Sequence, residues 1–519
     1  MFKGELFPFQ KLAVDRMIEA KHLLLAMEMG LGKTVVVIAA VEQLIDDGLV
    51  GGGIIIAPAS IKYQWARMID QFTEGTAKVA VVDGVPRKRL DWYSDYRCGR
   101  VEYLIINPEQ MVGDWDIVRR LPRDFIVADE CQWAKNFAPK RSKRLKRLEA
   151  TYQWGLTGQP VENRPEEIFS IFQWIDPTVL GRFDIFDRSF ISRDHFGRPR
   201  AYRNLATLHK LVSDHMVRHT RDQVKDQLPA ITEQSIYVEM DEAGARLYRR
   251  IVRDLERALQ QAFDEFGNFS LTGFYTGDPD LSQARGDIMS KLTCLRMLLD
   301  SPDLLRRSAA HYRGEIPGGN RTGSVYAEEL HLAGALEKVT EAPKIKATVE
   351  LITDILDANP VNKCVVFSNF KDSLDLLATA TKGLTQSVLF TGDVNAKNRE
   401  VAKQRFALDA DVRLFLSSDA GGVGLDLPQG NYLISLDLPW SAGAYAQRQA
   451  RIIRLSSQFP QVTLISMQVK DSLDEYQAAL LAQKQKIADA VVDGRGIGTK
   501  GRLTLDLQSL TKFLSEREL

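Results

Sequence analysis

Eight consecutive residues, Met27-Glu28-Met29-Gly30-Leu31-Gly32-Lys33-Thr34, bring together the groups that bind a phosphate. Glycine lets backbone N–H groups approach an anion closely, and a helix N-terminus adds the positive end of its dipole. Lys33 would reach the outer phosphates of a nucleotide, and Thr34 would ligate magnesium. The strict GxxxxGK[ST] pattern asks for glycine at position 27, where this chain has Met27, so the match is to the GxGKT ending. Such a loop needs an acidic partner at the end of a neighbouring strand. Asp124-Phe125-Ile126-Val127-Ala128-Asp129-Glu130 supplies one, 95 residues after Thr34. Asp129 would hold magnesium through its shell, and Glu130 would orient or deprotonate the attacking water.

These side chains need strands and helices to place them. Short apolar runs recur in the first third: HLLLAM (22–27), GIIIAP (53–58), KVAVVDG (78–84), EYLIIN (102–107) and DFIVADE (124–130). Helical patterns lie between them. Buried parallel strands read as continuous apolar runs because helices cover both faces of the sheet. Residues 1–175 therefore predict an α/β lobe with a parallel sheet. Residues 176–345 predict a mostly helical insertion. Leu247, Ile251, Leu255 and Phe263, then Ile288, Leu292, Leu295 and Leu299, fall at helical spacing, with Gly/Pro/Ser-rich loops at 267–282 and 311–325. Residues 346–480 predict a second α/β lobe, from KCVVFSN (363–369), QSVLFTG (386–392), VRLFLSS (412–418), NYLISLD (431–437) and VTLISMQV (462–469). Residues 481–519 predict a helical tail.

The order of these motifs resembles the superfamily 2 helicases, and the flanking residues narrow the resemblance to the SWI/SNF-like DNA translocases. Leu6-Phe7-Pro8-Phe9-Gln10 stands where that family has LRPYQ, and Pro58, Ser60 and Trp65 match PxSxxxxW. Trp133 to Asn136 is similar to RIKN, and Gly155 to Asn163 to LTGTPLQN with Gln159 in place of Thr. In the insertion, Leu208-His209, Met216-Val217-Arg218-His219-Thr220, Leu228-Pro229 and Leu295 to Pro302 resemble LHxLL, MLRRTK, LPPK and LRQICNHP. In the second lobe, Val366-Phe367-Ser368, LSSDAGGVGLDL (416–427), Asp437 to Ser441 and Gln447, Arg451 and Arg454 resemble VFS, STKAGGVGLNL, DPxWNP and QAxxRxHRIGQ. DECQ stands for the usual DEAH or DEAQ, and Ile453 stands for the family histidine.

The resemblance implies two RecA-like parallel-sheet lobes with a helical insertion between them and a helical C-terminal tail. It implies ATP and Mg2+ as cofactors and nucleic-acid-dependent ATP hydrolysis as the activity. Gln10 would read adenine, and Gly30, Gly32, Lys33, Thr34, Gly424 and Gln447 would line the nucleotide. Arg451 and Arg454, three apart on one side of a helix, would reach the γ-phosphate as arginine fingers, each worth roughly 10³–10⁵ in rate. Ser60, Lys62, Trp65, Asn107, Ser368, Asn369, Ser417 and Ser418 would hold the DNA backbone, a grip independent of sequence. The expected partner is duplex DNA, with a protein partner for targeting and no membrane. The expected location is cytoplasmic, associated with the nucleoid. Two other readings share every ATP residue: a strand-separating DNA or RNA helicase, and an ATP-switched clamp that remodels a protein on nucleic acid.

Composition bounds these expectations. Hydrophobic residues make up 45% and charged residues 26%, which excludes disorder as the main state. Lys+Arg and Asp+Glu are both 68, so bulk charge says nothing about nucleic acid and any basic patch is local. Cys98, Cys131, Cys294 and Cys364 are far apart with no CxxC, against a disulfide framework or a cysteine zinc site. KRSKRLKR (140–147) and Arg87-Lys88-Arg89 are basic runs open to two roles, a solvated face or a DNA contact. His215 and His219 have the i, i+4 spacing of a zinc pair but no HExxH, which favours packing.

Overall fold

The computed structural model describes residues 1–136, 139–162, 164–193, 199–266, 282–316, 324–392, 394, 396–419 and 425–494. The chain divides into two compact units. The first holds Met1–Leu228, Ser441–Leu455 and the described residues from Gln483 onward; the second holds Pro229–Trp440 and Ser456–Ala482.

The first unit is built on β1 (His22–Leu25), β2 (Gly53–Ile56), β3 (Val79–Val81), β4 (Tyr103–Ile106), β5 (Phe125–Ala128), β6 (Tyr152–Leu156) and β9 (Met216–Val217), with a short antiparallel pair β7 (Ile191–Arg193) and β8 (Pro199–Tyr202) outside the sheet. The sheet order is β3-β4-β2-β5-β6-β1-β9, and every pairing is parallel. Each predicted apolar run of the first third contains one of these strands, and β2, β4 and β5 are buried along their whole length. One core joins sheet and helices, with Met17, Leu23, Val36, Ile38, Ile55, Val127 and Trp154 all inaccessible.

The second unit holds β10 (Ala230–Val238), β11 (Cys364–Ser368), β12 (Gln386–Phe390), β13 (Val412–Ser418), β14 (Tyr432–Ser435) and β15 (Gln461–Val469) in the parallel order β10-β15-β14-β11-β13-β12. The two long helices of the insertion, Glu242–Phe266 and Ser282–Asp300, pack Leu247, Ile251 and Leu255 against Ile288, Leu292 and Leu295. The predicted loops fall largely at 267–281 and 317–323, outside the described residues.

The insertion does not stand as a separate body. Its residues up to Leu228 fold with the first unit and those from Pro229 with the second. The reason is strand pairing: β9 extends the first sheet beside β1, and β10 extends the second beside β15 through nine paired residues. Neither segment reads as a buried strand, because β9 is two residues long and β10 is an edge strand with most residues exposed or half-buried. The predicted tail begins as part of a helix, Leu473–Val492, and residues 495–519 lie outside the described set. No helix among the described residues is long and apolar enough to cross a membrane.

Candidate nucleotide site and nucleic-acid contacts

The loop between β1 and the Lys33–Asp46 helix turns through two left-handed glycines, Gly30 (φ 89°) and Gly32 (φ 80°). Both also face close neighbours. A Cβ on Gly32 would fall 2.5 Å from Nε2 of Gln10, and one on Gly30 would fall 2.6 Å from the carbonyl oxygen of Ile453. Gln10 is buried; its Nε2 donates to the carbonyl of Leu31 at 3.1 Å and its Oε1 accepts from the Phe7 N–H. Gln10 is therefore placed against the phosphate loop.

Lys33 Nζ donates to the Met27 carbonyl at 3.0 Å and lies 3.5 Å from that of Glu28. Burial lowers its pKa, Glu130 and Asp129 oppose that shift, and Arg454 and Arg218 add to it. Thr34 follows, half-buried, in the first turn of the helix. Met27, which replaces the first glycine of the strict pattern, is wholly buried in the core.

Asp129 leaves the end of β5. Its Oδ2 accepts from Trp65 Nε1 at 2.7 Å and its Oδ1 from the Glu130 N–H at 2.8 Å. Burial, helped by the Glu130 charge, pushes its pKa up to about 6. Glu130 takes the left-handed region (φ 47°), which is costly for a residue with a Cβ and is found where surrounding structure enforces it. Gln132 Nε2 holds a Glu130 carboxylate oxygen at 2.6 Å. Lys135 pairs with Glu162 and lies 3.7 Å from Glu167, tying the segment after the acidic pair to the residues that follow β6.

The Ala442–Gln449 helix and the residues after it belong to this unit rather than to the second sheet's, so the predicted 346–480 lobe is not contiguous. A Cβ on Gly443 would fall 2.9 Å from Glu162, and Cδ of Arg454 lies 3.4 Å from the Cβ position of Gly30. Arg454 is thus brought to the phosphate loop. The helix ends at Gln449, so Arg451 and Arg454 lie in the turn beyond it and not on one helix face as expected; Arg451 is buried, and Gln447 is half-buried on the helix. Gly424 lies outside the described residues.

The nucleic-acid candidates divide sharply. Lys62 is 3% exposed, with Nζ donating to the Val82 carbonyl at 2.6 Å and to Gln110 at 3.2 Å, so its ammonium is spent inside the unit. Trp65 is 1% exposed and bonds Asp129. Ser368 and Ser417 are inaccessible; Ser368 donates to Asp437, and Ser417 to the Ser418 carbonyl. A backbone phosphate cannot reach these four as they stand. Ser60 is exposed. Asn107 is half-buried and caps its helix by accepting from the Gln110 N–H at 2.7 Å. Asn369 is half-buried, with its N–H and Nδ2 both directed at Asp437, and Ser418 is buried at the end of β13.

Three residues carry more than their motifs suggested. Arg218 contacts the phosphate loop directly, Asp437 gathers the Ser368-Asn369 turn, and Arg296 lies over the rings of Phe370 and Trp440 while donating to the Leu438 carbonyl at 3.0 Å. For Asp437 and Arg296 the signal is a charged residue inside an apolar run, which is packed in only when paired; Arg218, between Val217 and His219, carries no such signal. The basic runs are partly structural: Arg89 makes a two-pronged pair with Asp114, Lys146 donates to Ser170, and Arg144 stacks over Trp115. His219 packs edge-on to Phe9, and His215 lies 4.0 Å from Asp176.

A glycine loop carrying lysine, joined to an Asp-Glu pair at a nearby strand end of a parallel sheet, is the arrangement of a P-loop nucleotide-binding protein. The SNF2-related domain family matches residues 9–306, over half of the chain, and the helicase conserved C-terminal domain matches 344–456. The chain belongs to the SNF2-related family. It is 24% identical to the DNA repair and recombination protein RAD54B of Mus musculus over 522 residues, covering 94% of this chain and 56% of that protein. It is 25% identical to the ATP-dependent helicase fft3 of Schizosaccharomyces pombe, covering 91% and 54%. The chain thus spans about half the length of the curated relatives it matches. Among solved structures, a Sulfolobus solfataricus SWI2/SNF2 ATPase core in complex with dsDNA aligns over 100% of this chain and 98% of its own, at 22% identity and a TM-score of 0.42.

Proposed function

We propose that this chain is an ATP-driven motor that hydrolyses ATP to move along duplex DNA and to remodel DNA or DNA–protein complexes. The observation that carries the reading is the gathering of Lys33, the Asp129–Glu130 pair and Arg454 around one glycine loop within the first unit. Lys33 and the loop N–H groups bind the phosphates, Gln10 orients the base, Glu130 positions the attacking water, and Arg451 and Arg454 take up charge developing on the γ-phosphate. Family membership and the named activities of the relatives support the class.

Mg2+ fits the donor set. Asp129 and Glu130 place two carboxylates side by side with Asp129 buried, and each Asp129 oxygen accepts one hydrogen bond. Thr34 and Asp129 would hold the ion, which when bound neutralises phosphate charge. Ser60 and Asn107 in the first unit are the residues we retain for the DNA backbone; Asn369 spends its N–H and both Nδ2 hydrogens on Asp437 and Leu438, and Ser418 is buried. A protein partner would choose the target.

Steady-state ATP hydrolysis with no nucleic acid, single-stranded DNA, duplex DNA and duplex RNA, at one fixed salt concentration, tests the proposal. Strong stimulation by duplex DNA alone is expected. Stimulation by single strands or RNA instead would replace translocation with strand separation. Hydrolysis indifferent to all of them would favour a protein-directed switch.

A further inference from the structure

The phosphate loop is held from behind by a single guanidinium. Arg218 Nη1 donates to the Ala26 carbonyl at 2.8 Å and to the Gly158 carbonyl at 3.2 Å. Its Nη2 donates to Glu28 Oε1 at 3.0 Å and to Asp493 Oδ2 at 3.3 Å, and its Nε to Asp493 Oδ1 at 2.7 Å. All five N–H donors of the arginine thus have an acceptor, the most this side chain can satisfy. Neighbouring backbone adds to the hold: the Ala26 N–H donates to Val217, the Glu28 N–H to His219, and the Arg221 N–H to Glu28 Oε2. The residue between the two clamped positions is Met27, whose carbonyl holds Lys33 Nζ.

The fork between Asp493 and the Nε–Nη2 edge gives the guanidinium one orientation. That orientation aims Nη1 at the Ala26 and Gly158 carbonyls. Asp493 comes from 275 residues further along the chain, and its side chain is only 9% exposed. It is not a stray contact, because the segment before it is fastened to the same unit: Gln159 Nε2 reaches Gln485 at 3.4 Å, and a His209 ring nitrogen lies 3.2 Å from the Val491 carbonyl. Lysine at position 218 could make at most three of the five bonds and could not fork.

We propose that Arg218 is a positioning residue for nucleotide binding and that Asp493 orients it, so that the segment 483–494 sets the affinity of the phosphate loop. This rests on the nucleotide reading of the same loop. When Asp493 is removed, Glu28 alone holds the guanidinium, the Nη1 contacts are released, and the carbonyls that locate Lys33 lose their register.

The test is the Kd of the full chain for a fluorescent ADP analogue with Mg2+, in Asp493→Ala, Asp493→Glu and Arg218→Lys beside the parent. Affinity should fall about tenfold in Asp493→Ala and Arg218→Lys and return to within about threefold in Asp493→Glu. The rate at saturating ATP should fall far less than the affinity, and hydrogen exchange should quicken at amides 26–34 while the second unit's amides are unchanged. Asp493→Ala binding the analogue within about twofold of the parent would overturn the proposal. So would a loss that Asp493→Glu does not recover, or one that follows unfolding of the whole first unit by thermal melt. A parent chain that fails to bind the analogue would instead sink the nucleotide reading itself.

Discussion

Both sheets end a central strand in an aspartate, and the two aspartates are treated in opposite ways. Asp129, after β5, receives one indole N–H and one backbone N–H, and its nearest charged neighbour in sequence is another acid, Glu130. Asp437, just beyond β14, receives the Ser368 hydroxyl and both the N–H and Nδ2 of Asn369, with Arg296 3.8 Å away. The protein completes the bonding of the second carboxylate with its own donors. It leaves the first one buried, short of donors and beside a like charge. An acid whose needs the fold meets is scaffold, whereas one left short is a place for a ligand cation.

Substitutions should separate the two regions by what they damage. Lys33→Ala should reduce ATP turnover by about 10⁴-fold or more while the fold persists, measured by phosphate release and circular dichroism. Arg451→Ala and Arg454→Ala should each slow turnover about 10³-fold with nucleotide affinity little changed; full-rate hydrolysis in either would remove that residue from the finger assignment. Asp437→Ala should act on stability, costing about 2–3 kcal/mol by leaving the Ser368-Asn369 donors unsatisfied, whereas in Asp129→Ala the orphaned Trp65 indole is offset by removing a buried carboxylate beside Glu130, for a net cost of about 1 kcal/mol or less. Urea unfolding followed unit by unit decides this, and equal costs would dissolve the contrast.

The pH response sharpens the same contrast. Asp129 titrates near 6 in the fold against an ordinary 3.8, so the folded chain keeps a proton that the unfolded chain gives up. This carboxyl therefore subtracts stability as pH rises from about 4 to about 6, and the loss is complete above that window. Magnesium needs the ionised form. Its contribution to nucleotide affinity should hold above about pH 6 and fall about tenfold per unit below it, read from binding titrations with and without Mg2+. The smallest effect belongs to the surface: Ser60→Ala should weaken duplex DNA binding about threefold.

The strands and the phosphate loop were legible because burial on both faces writes an uninterrupted apolar run, as in Ile54-Ile55-Ile56 and Phe125-Ile126-Val127. Pairing across long separations leaves no such mark. Ala230–Val238 carries Thr232, Glu233, Gln234 and Ser235 because an edge strand half in solvent tolerates them, so it passes for a loop. Side-chain direction was equally hidden. Lys62 and Trp65 sit in a motif expected to meet DNA, yet the helix from Lys62 to Thr73 turns both inward, one to Val82 and one to Asp129. Motif position locates a segment; which face of a helix each residue occupies is settled by the core it packs on.

The pairing of β10 with β15 also bears on how the chain is made. Residues 230–238 leave the ribosome well before the strand they must join, which begins at Gln461. At 5–20 residues per second that is a wait of roughly ten to fifty seconds, with a row of open N–H and C=O groups and exposed Ile231 and Tyr237 on offer to any other chain. Thr232, Glu233, Gln234 and Ser235 make that waiting edge polar, which lowers its tendency to pair with other chains.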